Sequence, residues 1–96
     1  GGTTAPELFI AYIGKEAKLF SMGLLSKLRT SGIRAVVDAN DRNLKGQMKY
    51  ANKIGAAYTV VIGDDEVSSG MLTLKDMETG EQTSVATEDL ISHIRN

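Results

Sequence analysis

Ninety-six residues, 42% of them hydrophobic and 24% charged, suffice for one domain around a single core, since chains below about 150 residues usually keep one. The absence of cysteine removes disulfides, thiolate metal ligands and cysteine nucleophiles together, which excludes most redox chemistry and fits a reducing compartment. A net charge of −1, no apolar run near the roughly 18 residues of a membrane span, and no signal-peptide pattern give a soluble, cytoplasmic chain as the expectation.

The chain opens on Gly1 and Gly2 without methionine, so residues 1–7 read as a tag or linker remnant and residues 8–96 as the domain. "LFIAYI", from Leu8, is a short apolar run that follows Pro6 and predicts a first strand. From Lys15 to Ser31, Ala17, Phe20, Leu24 and Leu28 recur at steps of three and four, which predicts an amphipathic helix stopped by Gly32. "RAVVD", ending at Asp38, is a second short strand, and the turn-forming "ANDRN" leads into a second helix over 43–54. Leu44, Met48 and Ala51 form its apolar stripe and Gly55 its stop. "YTVVIG", from Tyr58, is apolar almost throughout, as a strand buried on both faces would be.

Beyond that point the period changes. "DDEVSSG" reads as a tight polar turn, "MLTLKD" and "QTSVA" as two strands joined by a second turn, and the segment from Thr87 as a last helix capped by that threonine. Two right-handed crossovers followed by hairpin connections predict a three-layer α/β fold. Its five-stranded mixed sheet has the order two, one, three, four, five, with strand four antiparallel, and three helices. Ligands of such sheets bind beyond the carboxyl ends of the strands where the order reverses. That point brings together Gly14 and Lys15, the 39–43 loop, and 63–66.

Arg42, Lys45, Lys49 and Lys53 are spaced three, four and four, which aligns them on one side of the second helix. Like charges so placed repel, and they suit a row of phosphates; the same row is also what a solvated helix face looks like. "GDDE" sets Asp64, Asp65 and Glu66 at the switch point. The aspartates suit a turn's own hydrogen bonding, which leaves Glu66 open to an outside partner. His93 has no second histidine or cysteine with which to hold a metal. No G-x-S-x-G elbow, histidine triad, G-x-G-x-x-G or Walker loop is present, which argues against hydrolase chemistry and nucleotide-cofactor binding.

"SGIRAVVD", "LKGQMKYANKIGAAYTVVIGDDEV" and "GMLTLKDMETGEQTSV" resemble the C-terminal anticodon-binding domain of class IIa aminoacyl-tRNA synthetases, with the middle block closest to the histidyl branch. The resemblance covers about 8–94 and implies the five-stranded fold with three helices. It further implies binding of the anticodon loop of histidine tRNA, beside a catalytic domain that uses ATP and Mg and is not in this chain, in a dimeric parent. No cofactor and no membrane are implied for the domain itself, and no ligase activity for the fragment. On that reading Arg42, Lys45, Lys49 and Lys53 hold the RNA backbone, and Glu66 accepts hydrogen bonds from a base edge. Gln47 gives or takes hydrogen bonds, and Tyr50 either stacks on a base or packs inward. Gly46 departs from the lysine the family leads one to expect, which weakens the helix by about 1 kcal/mol relative to alanine and thins the basic row. Two alternatives stand beside this reading. One is a synthetase-like paralogue that no longer charges tRNA, such as a regulatory subunit of histidine biosynthesis, against which the four cations count; the other is an unrelated small α/β ligand-binding module or enzyme, against which the missing phosphate loop and nucleophile set count.

Overall fold

The computed structural model describes residues 5–96. Strand β1 (Leu8–Tyr12) is buried along all five residues, because helices cover both of its faces. Helix α1 (Lys15–Thr30) follows, ending at Ser31 with Gly32 in the left-handed region at φ 83°, where a side chain would be strained. Strand β2 is shorter than its sequence suggests, Ala35–Val37, because Asp38 already turns away to bond the 40–42 loop. Helix α2 (Leu44–Lys53) is capped by Asn43, whose side chain accepts from the Gly46 N–H at 2.9 Å. Strand β3 (Tyr58–Ile62) completes the parallel part of the sheet.

The sheet has the order β2-β1-β3-β4-β5, with β1 parallel to both neighbours and β4 (Met71–Asp76) antiparallel to β3 and to β5 (Gln82–Ala86). The predicted sheet order and antiparallel fourth strand are therefore those observed. Residues 1–4 of the expected remnant lie outside the described residues. Ala5 to Glu7 are tied into the sheet, since the Pro6 carbonyl accepts from Ala57 N–H and the Glu7 carbonyl from Tyr58 N–H.

Two local expectations are corrected. "DDEVSS" is a short helix, α3 (Asp64–Ser69), rather than a tight turn, which adds one six-residue helix to the three expected. Glu66 folds back to accept from the Gly63 N–H at 2.8 Å, three acids sit at the positive end of the short helix, and Gly70 closes it at φ 74°. With Val67 as its one packed apolar residue, it carries no periodic signal to read. Thr87 begins a 3-10 turn (Thr87–Asp89) ahead of α4 (Leu90–Arg95), and its hydroxyl donates to the Gly70 carbonyl at 2.8 Å instead of capping that helix.

The two sides of the sheet are unequal. Leu8, Ile10, Val60, Ile62, Leu72, Leu74 and Val85 form one large core with α1 and α4. On the other side Phe9 and Ala11 pack with Ala51, Met48 and Leu44 of α2, and no residue of β4 or β5 joins them. Because side chains alternate along a strand, Met71, Thr73, Gln82 and Ser84 are left exposed on that side. Half of this face is covered by α2, and half is bare.

Inside the larger core Ser21 is fully buried with no partner for its hydroxyl. Ser21→Ala should therefore raise stability by about 1 kcal/mol, from the relieved desolvation and the better helix former. Thermal unfolding followed by circular dichroism should show a midpoint roughly 4–8 °C higher.

Candidate nucleic-acid interface

Lys45, Lys49 and Lys53 are exposed on α2, and no ion pair engages them among the described residues. Helical spacing puts Lys45 on the flank shared with Met48 and Asn52, toward the bare half of the sheet, and Lys49 and Lys53 along the crest. Arg42 differs from its expected role as a fourth free cation. Its Nη1 donates to Oδ2 of Asp38 at 2.8 Å, and the Asp38 side chain is buried. Its guanidinium carbon lies 4.7 Å from the centre of the Tyr50 ring. Tyr50 packs inward, edge-on to Phe9 with ring centres 6.0 Å apart. The basic row is thus three free ammonium groups and one guanidinium already matched by a carboxylate.

Gln47, expected on the surface facing an RNA, is buried. Strand β2 stops pairing at Ile10, whereas β1 continues to Tyr12 against β3. The backbone of Tyr12 therefore faces a gap where β2 has ended. Gln47 fills it: Oε1 accepts from the Tyr12 N–H and Nε2 donates to the Tyr12 carbonyl, each at 2.8 Å. The same Nε2 donates to the Arg42 carbonyl at 2.8 Å, so one amide ties the start of α2 to the centre of the sheet.

Glu66 borders a hollow of about 350 Å³ on the bare half-sheet, between Met48 of α2 and Thr73, Lys75 and Gln82 of the hairpin. Its Oε1 is used in the bond to Gly63, which fixes the carboxylate and leaves Oε2 outside that bond. A rigid acceptor over an apolar floor of Met48 and Val61, with lysines alongside, suits the edge of an unpaired base.

A second hollow, about 450 Å³, lies at the switch point among Tyr12, Gly14, Lys15, Lys18 and Asp41. Asp41 adopts φ 52° and accepts from the Tyr12 hydroxyl and from Lys18 Nζ, the latter at 2.8 Å. Burial and the neighbouring Asp41 carboxylate push the Tyr12 phenol up to about 12, while Lys18 and Tyr12 hold the Asp41 carboxyl below its usual range. The sheet order brought Gly14, Lys15 and the 39–43 loop to this point, but not the pairing of Asp41 with Tyr12 and Lys18, which come from a strand and a helix.

A family model described as "Anticodon binding domain" matches residues 7–96. The chain belongs to the anticodon-binding domain family. It is 50% identical over 91 residues to the histidine–tRNA ligase of Caldanaerobacter subterraneus subsp. tengcongensis, covering 95% of this chain and 22% of that protein. The histidine–tRNA ligase of Acetivibrio thermocellus is 44% identical over 90 residues, covering 94% of this chain and 22% of that protein. The chain thus spans less than a quarter of the length of the curated relatives it matches. Among solved structures, apo histidyl-tRNA synthetase of S. aureus superposes with a TM-score of 0.91 at 37% identity, over 96% of this chain and 24% of that one. The RNA-binding domain of threonyl-tRNA synthetase from Cryptosporidium parvum superposes at 0.84 with 16% identity, over 94% of this chain and 23% of that one, which shows a shared fold alone. This anticodon-binding domain therefore has histidine–tRNA ligases as its relatives, which favours the ligase reading over the regulatory paralogue.

Proposed function

We propose that this anticodon-binding domain holds the anticodon loop of histidine tRNA as one part of a histidine–tRNA ligase. The observation that carries the reading is the free row Lys45, Lys49 and Lys53 bordering a bare half-sheet on which Glu66 is held rigid. The lysines position the loop through its phosphates, and Glu66 reads a base edge with Thr73, Lys75 and Gln82 around it. Arg42 and Gln47 act from behind, one matched to Asp38 and the other bracing α2. ATP, Mg and amino-acid activation belong to a catalytic domain outside this chain, in a cytoplasmic and dimeric parent enzyme. No helix among the described residues is long and apolar enough to cross a membrane.

The test is fluorescence anisotropy of a labelled histidine-tRNA anticodon stem-loop against one with a scrambled anticodon. Tighter binding of the cognate loop is expected, with the preference reduced about tenfold in Glu66→Gln, the scale of one good base-edge contact. Equal binding of both loops would reduce the domain to an electrostatic patch.

A further inference from the structure

Position 46 carries glycine in the first turn of α2, where it is a poorer helix former than alanine. Its φ is negative, so backbone conformation does not call for it. Space does. A Cβ at this position would lie 3.1 Å from Arg42 Cβ, 3.2 Å from Asn43 Oδ1 and 3.4 Å from Arg42 Cδ. A Cβ there would press on Arg42, which folds back across the helix to Asp38 on one side and the Tyr50 ring on the other. The result is a shallow groove of about 410 Å³ bounded by Arg42, Gly46, Lys49, Tyr50 and Lys53.

We propose that this groove is a nucleotide-stacking site, which takes one unpaired RNA nucleotide with its base against the Arg42 guanidinium and the Tyr50 ring. Its phosphates meet Lys49 and Lys53. The inference rests on the RNA-binding reading above and extends it: an RNA strand lying on the bare half-sheet crosses the crest of α2 and lodges a flanking nucleotide on the helix's other side. Guanidinium planes and aromatic rings stack with any base, so the site tolerates sequence while Glu66 selects it. The Asp38 bond and the Tyr50 ring fix the plane in advance, so little side-chain freedom is lost on binding. A side chain longer than alanine at position 46 would occupy the space the base needs.

The experiment places 2-aminopurine at one loop position at a time in the anticodon stem-loop and titrates the wild-type domain, Gly46→Gln, Gly46→Ala, Arg42→Lys and Glu66→Gln. One position should change its fluorescence on binding wild type, and lose that change in Gly46→Gln and Arg42→Lys, with affinity about tenfold weaker. The log-log salt slope should become shallower in Gly46→Gln, since a nucleotide kept out of the groove no longer brings its phosphates to Lys49 and Lys53. Gly46→Ala adds the same Cβ beside Arg42 and Asn43 without reaching into the groove, so weaker binding in Gly46→Gln than in Gly46→Ala separates a filled groove from a displaced Arg42 or a loosened cap. Full affinity and an unaltered fluorescence response in Gly46→Gln would overturn the site. If Glu66→Gln alone weakens binding, the RNA-binding reading stands and the stacking site falls; if wild type binds no stem-loop, both fall.

Discussion

Gln47→Leu is expected to destabilise the domain by about 3 kcal/mol or more. The substitution keeps the volume but strands the Tyr12 N–H, the Tyr12 carbonyl and the Arg42 carbonyl, and a buried orphaned group costs about 1–3 kcal/mol. Domains of this size have only about 5–15 kcal/mol to lose. Urea unfolding should show the midpoint falling by roughly 2 M, with a slope close to that of wild type. A loss below about 1 kcal/mol would mean that water or a shifted backbone takes over the amide's role. Because the same amide holds the start of α2, RNA binding should weaken in this variant even at temperatures where it is fully folded.

Replacing Lys45, Lys49 and Lys53 together with alanine is expected to remove most of the RNA affinity, roughly a hundredfold at about 50 mM salt. With Arg42 matched by Asp38, three cations remain to release counterions, which at about −0.7 per contact gives wild type a log-log salt slope near −2. The triple variant should approach zero slope. A wild-type slope near −3 would show that Arg42 meets phosphate despite its carboxylate partner, and an unchanged slope in the triple variant would remove α2 from the interface. The three side chains are exposed, so melting temperature should hardly move.

Periodicity carried most of the fold because the large elements bury whole faces. Ala17, Leu24 and Leu28 mark α1 at helical spacing, and the fully buried Leu8–Tyr12 run marks a central strand. Where burial is slight, the signal disappears. Helix α3 is made by a backbone bond to Glu66 and a left-handed Gly70, neither of which leaves an apolar pattern. The candidate site was legible as a row of charges on α2, and its proximity to Glu66 followed from the sheet order. Partnerships were not legible. Gln47 lies between the half-buried Gly46 and Met48, and nothing in its neighbours reveals that β2 stops short and leaves Tyr12 to be satisfied. In the same way the Asp38 carboxylate that occupies Arg42 is set by how far β2 runs before turning.

The bare half of the sheet has a consequence for divergence. Along β4 and β5 the residues that build the core, Leu72, Leu74 and Val85, alternate with Thr73, Gln82 and Ser84, which touch none of it. A change in the second set alters what the surface can recognise at almost no expense in folding, because the period of two keeps the sets on opposite faces. On the proposed reading, recognition and stability are therefore inherited through different residues of the same two strands. A lineage can replace one set wholesale while conserving the other, and the scaffold will outlast the specificity written on it.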